Sequence, residues 1–147
     1  MNELRIDRLR WWHLPAVAEM EVAIFGPEAW SEGLLWTELS AGHDYRAVFE
    51  GERILGYAGT ALSDNEMWLN NIAVDAGARR RGVARMLMDD LIARAKAHGA
   101  KALYLEVAVD NVPAQRLYDR YGFVGLGVRK NYYQHTGTDA AVMRMEL

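Results

Sequence analysis

The chain is 147 residues long, 51% apolar and 25% charged, with a formal net charge of −3, the balance of one globular domain over residues 1–147 with a single continuous core. The acidic total argues against nucleic-acid binding as the main function, and no apolar run is long enough to cross a membrane. With no cysteine, disulfides, thiolate metal sites and a cysteine nucleophile are excluded.

Met1-Asn2-Glu3-Leu4-Arg5-Ile6-Asp7 alternates charged and apolar residues, the period of a first strand, and Leu9 continues it. It lacks the hydrophobic core of a signal peptide, which places the protein by expectation in the cytoplasm. Trp11-Trp12-His13 reads as the packed start of a helix. Leu14–Phe25 follows, opened by Pro15, with Val17, Met20, Val22, Ala23 and Ile24 at helical spacing and Gly26-Pro27 as its stop. Ser31 is placed to N-cap a second helix through Leu34, Leu35, Trp36 and Leu39, so the first helices form an amphipathic pair. Residues 45–49 and 54–62 are strands joined by Glu50-Gly51-Glu52-Arg53, with glycine where a hairpin turn wants it. Residues 67–74 complete an antiparallel meander.

The meander runs through Asp75-Ala76-Gly77-Ala78-Arg79-Arg80-Arg81-Gly82 into a helix that starts at Val83 and Ala84. Ala84, Leu87, Met88, Leu91 and Ala95 share one face, Arg85, Asp89 and Lys96 lie opposite, and His98-Gly99 ends it. A helix N-terminus offers N–H groups without intrahelical partners and about half a positive charge, so this junction is suited to a phosphate. Gly82 removes the side chain that would block close approach, and the arginines add positive field. The alternative is a plain strand-to-helix turn with solvated arginines. Neither the Gly-Lys-Ser/Thr of a P-loop nor the G-x-G-x-x-G of a dinucleotide fingerprint is present.

Residues 102–109 form an apolar run with one ionisable residue, Glu106, the pattern of a central strand. Asn111 caps a last helix with Pro113 in its first turn, Ala114, Leu117, Tyr118 and Tyr121 on one face, and Gly122 at its end. Residues 123–129 and 140–145 are a final strand pair, separated by a polar loop, residues 130–139, that carries Tyr132 and Tyr133. The four histidines lack metal-ligand spacing, and Ser31 lacks the G-x-S-x-G elbow of a serine hydrolase.

Arg79-x-x-Gly82-x-Ala84 resembles the Q/R-x-x-G-x-G/A signature of the GNAT N-acetyltransferases, and the order of elements is that of their fold over the whole chain. Trp30-Ser31, Asn71-Ile72-Ala73-Val74-Asp75, Leu105-Glu106-Val107, Asn111 with Ala114 and Leu117-Tyr118, Gly122-Phe123 and Arg129-Lys130-Asn131-Tyr132-Tyr133 are similar to the ribosomal-protein-alanine N-acetyltransferase branch. The resemblance implies an α+β fold with a central mixed, mostly antiparallel sheet flanked by helices, and acetyl-CoA as co-substrate without a metal. It implies as acceptor a protein N-terminus, above all the N-terminal alanine of a small-subunit ribosomal protein, with no nucleic-acid or membrane partner.

By the same resemblance, backbone N–H groups of a bulged strand around Ile72, Ala73 and Val74 face the thioester and pantetheine arm. Arg79, Arg80, Arg81, Gly82, Val83, Ala84 and Arg85 hold the pyrophosphate, mainly through the main chain, and Asn111 contacts CoA while capping its helix. Glu106 matches the general base, and a carboxylate desolvated in an apolar strand suits that task; read from the residue alone, an edge carboxylate or an arginine partner serves equally. Tyr118 matches the general acid, since a phenol of pKa about 10 can protonate a departing thiolate, and it also fits the core of its own helix. Trp30, Asn71, Tyr132 and Tyr133 line the acceptor groove with Glu106. Arg79 stands where many members have glutamine, and Ala84, where many have glycine, puts a methyl near the pyrophosphate. The competing functions are a broader acetyltransferase that accepts lysine or small amines, and a noncatalytic CoA-binding or partner-binding module.

Overall fold

Strands with both faces apolar dominate the middle of the chain, and the computed structural model, which describes residues 3–147, packs helices on both sides of them. Met1 and Asn2, the start of the expected first strand, lie outside the described residues. The elements are β1 (Leu4–Arg8), α1 (Leu14–Phe25), α2 (Glu32–Ser40), β2 (Asp44–Glu50), β3 (Arg53–Ser63), β4 (Glu66–Val74), α3 (Val83–Ala97), β5 (Ala102–Ala108), α4 (Val112–Tyr121), β6 (Val124–Tyr133) and β7 (Thr138–Glu146), with short 3-10 turns at Trp11–His13, Gly26–Glu28 and Ala76–Ala78. One seven-stranded sheet has the order β1-β2-β3-β4-β5-β7-β6, antiparallel throughout except at β4–β5. This is the mixed, mostly antiparallel α+β architecture expected. No helix among the described residues is long and apolar enough to cross a membrane.

Alternation divides the core. Tyr45, Ala47, Phe49 and Tyr57 pack with Leu14 and Val17 of α1 and Leu35 of α2. Val48, Leu55 and Ala58 face the other way, against Val83, Leu87, Met88, Leu91 and Ala95 of α3. A bulge changes the phase of β4: Gly59 pairs with Asn71 and Thr60 with Leu69, so Asn70 has no partner on β3. Met67 and Leu69 before it, and Ile72 and Val74 after it, face the α3 side, whereas Ala73 joins the α1 side. One inserted residue flips every side chain that follows.

Close approach at this bulge requires Gly59, because a Cβ there would lie within the ring of Tyr45, a buried tyrosine whose hydroxyl donates to Glu38 (2.8 Å). The G59A variant should lose about 3 kcal/mol of stability, the upper range for overpacking a core, read as a lower urea midpoint with the slope unchanged.

Four expectations are corrected. Helix α1 buries Leu14, Val17 and Glu21, while Val22 is 62% exposed and Ala23 is exposed with it; the helix is apolar on several sides, and the i, i+3, i+7 row through Leu14 decides its rotation. At the start of α3, Val83 takes the core position expected of Ala84, which is half-buried. Trp11 and Trp12 are 57% and 58% exposed and belong to a 3-10 turn, with Trp11 stacked on Trp36 at 5.9 Å. Finally, the polar loop expected over residues 130–139 shrinks to residues 134–137, because β6 runs on to Tyr133 and β7 begins at Thr138. Asn131 adopts φ 51° and its N–H donates to the Asp139 carboxylate (2.8 Å). That side chain replaces a ladder partner, and pairing resumes at Tyr133–Thr138.

Candidate active site

The parallel ladder between β4 and β5 runs from Glu66–Ala102 to Leu69–Leu105 and stops at the bulge. Beyond it the strands diverge around a cleft of about 660 Å³, lined on one side by residues 69–74 and on the other by residues 106–108. The Asp75 N–H donates to the Leu55 carbonyl (2.8 Å). Antiparallel alternation therefore puts the Ala73 N–H on β3 and turns the N–H groups of Ile72 and Val74 away from it, into the gap β5 has left. A bulge and a splayed partner thus leave strand donors free along one wall.

At one end of the cleft lies the arginine loop. Asp75 caps its 3-10 turn, accepting from the Gly77 N–H (3.2 Å) and pairing with Arg53 (3.0 Å). Arg80 has φ 67° and Gly82 has φ 78° as the N-cap of α3, with no side-chain cap. Since Met86 N–H is the one that reaches the Gly82 carbonyl, the preceding N–H groups of Val83, Ala84 and Arg85 have no intrahelical acceptor. Arg79 and Ala84 line the cleft, and Arg80, Gly82 and Arg85 are exposed at its rim. The Val83 side chain is buried against Gly56, which holds the helix end at the sheet. The Arg81 guanidinium instead grips Glu50 of β2 through two bonds of 3.1 and 2.7 Å, so it braces the loop rather than facing the cleft. Free helix N–H groups beside a glycine, continuous with free strand N–H groups, fit an extended ligand with an anionic end and amides along its arm.

Glu106 and Tyr118 both line the cleft. Glu106 Oε2 is buried and accepts no hydrogen bond among the described residues; Arg129 Nε stands 3.3 Å away, near enough for charge attraction but outside hydrogen-bonding angles. Tyr118 packs edge-on against Phe123 (5.7 Å, 62°), and its hydroxyl has no protein partner among the described residues. Burial, with a smaller effect from Tyr133, raises its pKa well above that of a free phenol, so it holds its proton at any physiological pH. Asn111 lines the cleft as well as capping α4, its Oδ1 accepting from Ala114 N–H (3.2 Å).

Trp30, Asn71, Tyr132 and Tyr133 line the other end. The two tyrosines stand edge to face at 5.0 Å and 85°. Burial, followed by the charges of Tyr132, Glu106, Glu28 and Asp110, pushes Tyr133 up to about 12. Three carboxylates here were absent from the sequence reading. Glu28 accepts from the Thr136 N–H (2.9 Å) and ties the α1–α2 linker to the β6–β7 turn. Glu38 holds the bulged Asn70 through its Nδ2 (3.0 Å) and pairs with His43 (2.9 Å). Glu21 is wholly buried in α1, and its signal was the Leu14–Val17–Glu21 row. Of the residues expected in the site, all line this one cleft except Arg80, Arg81, Gly82, Val83 and Arg85, which form the loop and helix start at its end.

A cleft opened by a splayed parallel pair, with a helix start of free N–H groups at one end and a carboxylate and a phenol in its lining, has the groups that acyl transfer from a thioester to an amine would use. The Acetyltransferase (GNAT) family model matches residues 6–123, and the chain belongs to that family. It is an acetyl-CoA-dependent acetyltransferase. It is 33% identical over 135 residues to the N-alpha-acetyltransferase RimI of Mycobacterium tuberculosis, covering 88% of this chain and 84% of that one. An uncharacterized protein of Mycobacterium leprae is 37% identical over 135 residues, and there the chain spans 37% of the relative's length. The crystal structure of the ribosomal-protein-S18-alanine N-acetyltransferase from Escherichia coli superposes with a TM-score of 0.88 at 30% identity, covering 98% of this chain and 94% of that one.

Proposed function

We propose that the chain acetylates protein N-terminal α-amines, and that its acceptor is the N-terminal alanine of a ribosomal protein of the S18 type. The similarity to the Escherichia coli enzyme supports the acceptor. The observation that carries the chemistry is the buried Glu106 oxygen without a hydrogen bond, in the same cleft as the unpartnered Tyr118 hydroxyl. Acetyl-CoA supplies the acyl group as a thioester. Glu106 takes a proton from the α-ammonium, whose ordinary pKa of about 7.7 to 8 makes this undemanding. The freed nitrogen attacks the carbonyl carbon while the N–H groups of Ile72 and Val74 steady the carbonyl and the arm behind it. The carbon–nitrogen bond forms and the carbon–sulfur bond breaks; the sulfur takes the Tyr118 proton, and the second proton of the nitrogen returns to Tyr118 through solvent. Both the acceptor and acetyl-CoA belong to the cytoplasm, where this reading puts the protein.

Mass spectrometry of an alanine-starting S18 peptide beside an N-terminally blocked peptide with one lysine tests the reading. Acetyl transfer confined to the free α-amine is the expected result. Equal modification of the lysine would replace it with a broader acetyltransferase, and CoA binding without any transfer would favour a noncatalytic module.

A further inference from the structure

The carboxylate of Glu21 has no solvent exposure, and each of its oxygens is engaged by a different wall of the acceptor end. Oε1 accepts the Trp30 N–H (2.9 Å) from the α1–α2 linker, and Oε2 accepts Asn71 Nδ2 (3.0 Å) from the stretch of β4 that the bulge turns toward α1. An ionised carboxylate accepts and does not donate. Facing it, the Asn71 amide must keep its nitrogen inward, with a second contact to the Tyr57 hydroxyl (3.5 Å). Both of its side-chain hydrogen bonds run through Nδ2, so its oxygen is left for the cleft that Asn71 lines.

That polarity matters for the reaction. A neutral amine has one lone pair, which must point at the thioester carbon, and N–H bonds that need acceptors. An oxygen in the groove binds an N–H and leaves the lone pair free, whereas an amide NH₂ in its place would bind the lone pair and block attack. We propose that Glu21 is a positioning residue for the acceptor: through Asn71 it presents a carbonyl oxygen to the α-amine, and through the Trp30 backbone it fixes the facing wall. This inference rests on the α-amine reading above. Burial holds the Glu21 carboxyl pKa above its ordinary value, and the Trp30 N–H and Asn71 amide, the contacts that orient the amide, offset part of that rise.

Glu21→Gln keeps the shape but has one acceptor and one donor. Either the Trp30 N–H loses its partner or the Asn71 amide turns its NH₂ to the cleft. Peptide KM in E21Q should rise about tenfold or more, with a smaller change in kcat and CoA affinity by calorimetry unchanged. In E21Q/N71D the introduced amide donates to the introduced carboxylate and an acceptor oxygen again faces the groove, so peptide KM should fall back toward the wild-type value, a rescue that a merely structural role would not produce. N71A, which leaves Glu21 its bond to Trp30, should raise peptide KM as much as E21Q does; an unchanged KM in N71A overturns the inference even where E21Q does not fold. Wild-type protein that binds CoA and transfers nothing to the peptide overturns the α-amine reading and this inference with it. Wild-type transfer with unchanged KM in E21Q and N71A, or no rescue in the double variant, overturns the inference alone.

Discussion

Replacing Glu106 by Gln should lower kcat/KM for an α-amino peptide by about 10² to 10⁴ near pH 7, the range for loss of a positioned general base. The substitution is nearly isosteric, and Glu106 Oε2 accepts no hydrogen bond among the described residues. Its Arg129 neighbour has a side chain 56% exposed, so loss of that attraction costs little stability. The effect therefore falls on the reaction. Below a pH of about 7.7 the acceptor is mostly ammonium and must surrender a proton before attack, and there the loss should be largest. Above about pH 9 the amine is already neutral, and the gap between wild type and E106Q should narrow. A second readout needs no acceptor. The Tyr132 phenol is held above its ordinary pKa by burial and then by the negative charge of Glu106, so in E106Q it should titrate at lower pH, seen by ultraviolet absorbance or NMR. A rate loss equal at all pH values would remove Glu106 from the role of base.

What the residues show in advance, and what they hide, follows from the range of the interactions. Helix α1 is bounded by Pro15 and Gly26, local signals that the backbone obeys. Its rotation depends on which residue the sheet receives, and a buried carboxylate at Glu21 breaks the apolar pattern that sequence reasoning relies on; such breaks concentrate at functional sites. The site's chemistry is legible because Glu106 and the arginine loop are local anomalies, one charge in an apolar strand and several in one turn. The Arg81–Glu50 pair spans 31 positions, and the bulge at Asn70 is defined only by its register with β3. Neither has a local signature. The strand extension to Tyr133 depends likewise on the carboxylate of Asp139 reaching back to the Asn131 N–H, so a stretch of polar residues that reads as loop is held as strand.

Gly82→Glu tests the other end of the cleft, and its fold should survive. The φ of 78° costs a non-glycine residue about 1 to 2 kcal/mol. A Cβ there meets no atom within 4 Å, and a carboxylate beside the first turn of α3 recovers about 0.3 to 1 kcal/mol from the helix dipole. What the variant cannot do is share the free N–H groups of Val83, Ala84 and Arg85 with a pyrophosphate. Two like charges about 4 Å apart repel by about 4 kcal/mol at an effective dielectric of about 20, so CoA affinity by calorimetry should fall on the order of a hundredfold or more. Gly82→Ala separates backbone from charge: it carries the same φ penalty without the carboxylate and should weaken CoA far less. The difference between the two variants should shrink as salt rises and screens the exposed rim. CoA affinity in G82E equal to that of the wild type would mean that the anion docks elsewhere and that the start of α3 is a structural turn. Equal weakening in G82E and G82A would mean that the glycine serves the shape of the loop and not the charge of its ligand.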